Sequence, residues 1–292
     1  MRPRPIVPWF FLAPAFVVYT TFRVVPLIGT LCLSLTKYRG IEPPTFVFLS
    51  NYAKLLGDPL FWLAIRNNII WGLADVGLGT SIGMFMAVLL NSRIRLQAVF
   101  RTSLFLPMVL SWAVVGMLWD RIYHPIPSFG LVNHVLQAVG LPGLMHNWLG
   151  DPSTALGAVI VADLWKGFGF SMVIFLAGLQ DIPQELVEAA ELDGASSSRV
   201  FWSVTLPLMR PILSVVLVLG LIGAFRVFDP IWVMTQGGPG NATAVLGTQV
   251  FEVGFNEFNL GYGSTLAVAL LTLALAATLV YMRVFGRGEA YQ

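Results

Sequence analysis

Long apolar runs alternate with short polar connections along this chain, and the length of each run sets the first inference. A helix needs about 20 mostly apolar residues to cross the hydrocarbon core of a bilayer. Runs at 9–35, 69–90, 102–119, 155–179, 212–234 and 262–282 reach or approach that length. Helices are required there, because backbone amides in lipid find no water to bond. The first run is interrupted only by Arg23, the third is short and carries Pro107, and the last contains no charge. The pattern predicts an all-α fold, a polytopic membrane protein with six transmembrane helices. Arg2 and Arg4 precede the first run as in a secretory leader. That run exceeds a leader core of about 7–15 residues and shows no clear small-x-small cleavage site, so a retained span is expected.

An even number of spans puts both termini on one side, and Lys and Arg favour the cytoplasmic side. With the termini inside, the inner segments hold Arg2, Arg4, Arg93, Arg95, Arg101, Arg199, Arg210, Arg283 and Arg287. The outer loops hold fewer: Lys37, Arg39, Lys54, Arg66 and Arg121. The expected outer loops are then 36–68, 120–154 and 235–261, and the inner ones 91–101 and 180–211. This divides the chain into residues 1–65, the first helix with its outer loop, and 66–292, a core of five helices.

Composition agrees with a hydrocarbon solvent. Apolar residues make up 57% of the chain and charged residues 11%, whereas soluble domains carry roughly 25% charged residues. The net charge of +2 is too small to suggest nucleic acid, and the single Cys32 excludes a disulfide framework. His124, His134 and His146 lie scattered along one outer loop without metal-ligand spacing, so no metal site is expected.

The inner loop 180–211 carries the densest local signals. Asp181 and Gln184 have capping-box spacing, Pro183 suits a first turn, and Gly194 stands where a helix would stop. Glu185, Glu188 and Glu191 share one side, opposite Leu186, Ala189 and Ala190. Ser196, Ser197 and Ser198 can cap a second short helix running toward Leu206 and Pro207. A helix–turn–helix is therefore expected. Its acidic face reads either as a solvated surface or as a surface for a partner.

Glu188-Ala189-Ala190, then Gly194, then Val204-Thr205-Leu206-Pro207 resembles the EAA loop of ABC importer permeases, with Val204 where isoleucine is usual. The resemblance extends to Leu12-Ala13-Pro14, Asn51-Tyr52, Phe228-Asp229 and the stretch from Thr235 to Thr243. Together these are similar to the carbohydrate and glycerol-phosphate branch of that family, the maltose- and glycerol-phosphate-type permeases. The resemblance implies a type I ABC importer permease fold in the inner membrane of a prokaryote. It also implies a second permease subunit, usually a different chain, two ATP-binding subunits and an external solute-binding protein. ATP would be used by the partner ATPases. Glu185, Glu188, Ala189, Ala190, Asp193, Gly194, Leu206 and Pro207 would couple to them.

Charges inside spans are expensive and mark candidate functional groups. Asp163 and Lys166 are three residues apart on the fourth span, and Arg226 and Asp229 repeat the spacing on the fifth. Each pair reads as a self-neutralising bridge or as part of a solute pathway, with Trp165 a candidate ring for stacking on a sugar. Asp75 lies among glycines on the second span, where a position facing other helices is expected. Gly237, Gly238, Pro239, Gly240 and Asn241 form a turn cluster that is either a connector or a docking point for the binding protein. Trp148 and Leu149 in the loop before the fourth span offer a second contact.

No G-x-x-x-x-G-K-[ST] loop occurs, so no ATP site of that type is expected in this chain. No H-E-x-x-H or nucleophile elbow occurs either, and the chain is expected to be no enzyme. The rival reading is an ion-coupled secondary transporter using Asp75 and Asp163. Such a protein typically shows paired repeats of broken helices, and the rival leaves the 180–211 loop without a role.

Overall fold

The computed structural model describes residues 7–92 and 95–285. Arg2, Arg4, Arg93 and Arg287 of the charge argument lie outside the described residues. Four helices are each long and apolar enough to cross a membrane: Phe11–Ser34, Pro59–Asn91, Ala155–Gln180 and Leu260–Val284. Two bent pairs bring the number to six if each pair forms one span. A two-stranded antiparallel ladder, Thr36 with Phe46 and Lys37 with Thr45, is the β-structure among the described residues.

Three of the expected elements differ from the sequence reading. The run 102–119 is not one helix but two, Gln97–Val109 and Trp112–Ile122, turned 100° from each other. Leu110 and Ser111 are extended, and the Ser111 hydroxyl accepts from the Val114 amide at 3.5 Å, which starts the second helix. The run 212–234 also breaks. Its helix Arg210–Arg226 stops, Val227 and Phe228 leave helical geometry, and Asp229–Met234 begins a new short helix. Pro230 has no N–H to bond the Arg226 carbonyl, so the first helix cannot run through. Finally, Asp181 does not cap the loop helix. It closes Ala155–Gln180 instead, and Pro183 precedes Gln184–Leu192 without a side-chain cap.

The contacts divide the chain into two units, Met1–Phe61 with Gln249–Thr272, and Trp62–Thr248 with Leu273–Gln292. In the first unit, polar side chains pin the end of the first span. Asn51 Nδ2 donates to the carbonyls of Ser34 and Thr36 at 2.9 Å, and Tyr52 OH lies 2.8 Å from Ser34 Oγ. Thr265 Oγ1 donates to the Ser34 carbonyl at 3.1 Å, and Tyr262 OH donates to Asp58 at 2.6 Å. Asn51 thus clamps the carbonyls at and just past the helix end, and Tyr52 holds the Ser34 hydroxyl beside them.

In the second unit, small residues set the helix crossings. A Cβ on Gly83 would stand 2.7 Å from Ser171 Cβ, and one on Gly169 would stand 2.6 Å from the Leu104 carbonyl oxygen. Backbones approach there more closely than any side chain permits. Met84, Met172, Phe175, Leu176, Leu179 and Met209 form a buried cluster next to that crossing.

Candidate functional site

The loop 180–211 forms two helices, Gln184–Leu192 and Ser197–Leu208. Gly194 has φ +83°, its N–H bonds the Glu191 carbonyl, and the Ala195 N–H reaches back to the Ala190 carbonyl. That double bond is a Schellman stop, which favours a residue free to adopt the left-handed region. Glu185, Glu188, Ala189, Asp193 and Gly194 are exposed, while Ala190, Leu206 and Pro207 are half-buried. The helix Gln184–Leu192 has no buried residue, and Leu192 is 89% exposed. Its capping glutamine is turned along the helix, with Gln184 Nε2 donating to Glu188 at 2.8 Å.

The second helix connects this exposed element to the core. Val200 and Met209 are buried, and a Cβ on Gly178 would stand 3.1 Å from Met209 Sδ. Displacement of the loop therefore bears directly on the helix Ala155–Gln180, because close-packed side chains transmit strain.

A cavity of about 400 Å³ lies within the second unit. Asp75, Asp163, Arg226 and Asp229 line it, with Trp71, Trp112, Phe170 and Phe228 supplying aromatic surface. Its size is that of a small-molecule site, about 300–1,000 Å³. Asp163 is thus brought together with Arg226 and Asp229. Trp165 is placed elsewhere: its ring meets Trp119 edge-on at 5.8 Å in a cluster with Val115 and Tyr123. Lys166 donates to the Met108 carbonyl at 2.8 Å and sits 5.4 Å from the Trp112 ring centre.

Of the two readings of these pairs, the bridge is not formed, since no ion pair within 4.0 Å joins these charges among the described residues. For Arg226 and Asp229 the reason is the break between them: they belong to two helices, and three-residue spacing no longer places them on one face. Asp75 opens a π-helical segment, Asp75–Gly79, inside the long helix Pro59–Asn91. Such bulges often occur at functional sites.

Two buried asparagines hold the break open, and nothing in the sequence reading singled them out. Asn68 Nδ2 donates to the Ala224 carbonyl at 2.7 Å, and its Oδ1 accepts the Leu246 amide at 2.9 Å. Asn67 Nδ2 donates to the carbonyls of Ala242 and Ala244 at 2.9 and 2.8 Å. A Cβ on Gly247 would stand 2.7 Å from the Val227 carbonyl oxygen, so this segment lies directly on the broken turn. The available signal was a pair of amides beginning an apolar run, which demands partners once buried.

The turn cluster is folded back rather than loose. Thr243 Oγ1 donates to the Gly238 carbonyl at 2.8 Å, and Thr243, Ala244, Val245 and Leu246 are buried. Gly237 is buried, Gly238 and Pro239 are half-buried, and Gly240 and Asn241 are exposed at the tip. In the other loop, the Trp148 indole donates inward to the buried Asn133 at 2.9 Å.

Comparison with known proteins follows this geometry. Residues 79–287 match the model of the family described as binding-protein-dependent transport system inner membrane component. The chain is 37% identical over 292 residues to the probable ABC transporter permease protein YurN of Bacillus subtilis, covering 99% of each. It is 39% identical over 277 residues to the trehalose/maltose transport system permease protein MalF of Thermococcus litoralis, covering 94% of this chain and 91% of that one. Its fold matches a chain of a bacterial ABC transporter that imports the acidic polysaccharide alginate. The TM-score is 0.84 at 23% identity, over 96% of this chain and 95% of that one.

Proposed function

This chain belongs to the family of binding-protein-dependent transport system inner membrane components, and from that premise we propose how its parts divide the work of an importer. It is a multi-pass permease subunit of an ATP-driven importer, and its solute is a sugar or sugar-like compound. The observation that carries the reading is the acidic helix Gln184–Leu192, which buries nothing against its own chain and ends in a Schellman stop at Gly194. An exposed helix tied to the core through Val200 and Met209 suits docking on an ATPase.

In this reading, Glu185, Glu188, Ala189, Ala190, Asp193, Gly194, Leu206 and Pro207 form the coupling surface, which places 180–211 and both termini in the cytoplasm. Two ATP-binding subunits hydrolyse the nucleotide, and this chain carries out no chemical step and binds no cofactor. A second permease subunit completes the pathway. An external binding protein delivers solute, with Gly240 and Asn241 at the exposed tip of its docking point and Gly237, Gly238 and Pro239 shaping the turn. Asp163, Arg226 and Asp229 face the solute, and Lys166 supports the wall through Met108. Trp165 packs behind that wall.

The test is uptake by proteoliposomes containing the assembled complex and the binding protein. Accumulation should require internal ATP and persist when ionophores collapse proton and sodium gradients. Uptake driven by an ion gradient without ATP would refute the reading in favour of a secondary transporter.

A further inference from the structure

The charge balance of the cavity says more about the solute than its size does. Asp75, Asp163 and Asp229 line it against a single lining cation, Arg226. A further cation stands close by: the Lys166 ammonium donates to the Met108 carbonyl at 2.8 Å, lies over the Trp112 ring and interacts electrostatically with Asp163 and Asp229. No ion pair within 4.0 Å engages the carboxyls among the described residues. The Asp163 carboxyl accepts from the Trp71 side chain, and the oxygens of Asp75 and Asp229 remain to meet a solute. Carboxylates accept strong hydrogen bonds from hydroxyl groups, and they repel a like charge most where water is scarce.

Asp75 is framed for this contact. A Cβ on Gly79 would stand 2.9 Å from one of its carboxyl oxygens, and one on Gly220 would stand 3.5 Å from the other. Glycine at both positions keeps a Cβ from crowding these oxygens. Trp112, Phe170 and Phe228 add aromatic surface that suits the C–H surface of a sugar ring.

We propose that this cavity admits polyhydroxylated solutes without an acidic group and rejects acidic sugars, and that Asp75 is a specificity-determining residue for that choice. The proposal rests on the reading of the chain as a sugar permease and narrows it to one charge class. Three carboxyls outnumber Arg226 and the nearby Lys166, so an incoming acid meets a net negative lining. A neutral disaccharide instead finds acceptors for its hydroxyls and aromatic faces for its rings.

The experiment is saturation-transfer NMR on the assembled complex in nanodiscs, without binding protein, so that only the membrane site selects. Trehalose, maltose and lactose serve as neutral probes and digalacturonate as the acidic one. At least one neutral probe should receive saturation, and digalacturonate less than a tenth as much. In Asp75→Asn the ratio of digalacturonate to neutral signal should rise at least threefold. Comparable transfer to digalacturonate in the wild-type complex would overturn the charge selection while leaving the sugar reading intact. Transfer to no disaccharide would overturn the sugar reading and this inference with it. An unchanged ratio in Asp75→Asn would remove Asp75 from the role. If that variant does not assemble, the wild-type comparison decides.

Discussion

Asn68 shows how one side chain holds a feature that its neighbours in sequence cannot. Its amide bonds the Ala224 carbonyl at the end of one helix and the Leu246 amide of the segment pressed on the break. Both partners are buried, and an orphaned buried group costs about 1–3 kcal/mol. Asn68→Ala should therefore lower the stability of the detergent-solubilised protein by at least that amount. Asn68→Asp, which sets a buried carboxylate against the Ala224 carbonyl with no donor between them, should fall below the Ala variant at neutral pH. Thermal unfolding of the three proteins checks the order, and equal midpoints would show that the amide is not holding the break. Asp75 carries the same lesson for charge. Its isolation among glycines pointed toward other helices, and the structure places it on a cavity wall.

The helix–turn–helix at 180–211 was the part most legible in the sequence at the scale of helices. Acidic residues at three-residue spacing, small alanines and a glycine stop are local signals, and the helices Gln184–Leu192 and Ser197–Leu208 follow from them. Its start was misread, because Asp181 serves equally well to end the preceding helix, and only the length of that helix decides between the two roles. Nothing lies within 4 Å of a Cβ placed on Gly194, so a substitution there meets no clash and acts through φ +83° alone. A left-handed conformation costs an L-residue about 1–2 kcal/mol, and more is expected for a β-branched one. Gly194→Val should abolish ATP-driven uptake while membrane insertion stays normal, whereas Gly194→Asn should retain much of it, since asparagine tolerates this cap. Uptake assays beside membrane fractionation separate the two, and normal transport by Gly194→Val would remove the loop from coupling.

For the whole molecule, orientation in the membrane is the property open to direct measurement. In a background where the exposed Cys32 is replaced by alanine, a cysteine introduced by Ser197→Cys should react only from the cytoplasmic side. One introduced by Asn241→Cys should react only from outside. Labelling of the Ser197→Cys protein in intact cells by an impermeant maleimide would reverse the assigned topology. Apolar run lengths and sparse charge were enough to establish a polytopic helical membrane protein, because hydrocarbon leaves the backbone no alternative to helices. The EAA-like spacing was enough to identify the family, because a short helix and its glycine stop are local structures. Where the spans break, which charges share a cavity, and that Arg226 and Asp229 belong to different helices were decided only by the tertiary structure. Those outcomes depend on bonds from Asn68 to Ala224 and Leu246, as many as 178 residues apart in sequence, and on backbone approaches at glycines. Neither leaves a periodic trace, since a buried amide or a missing Cβ acquires its meaning only from the surface brought against it.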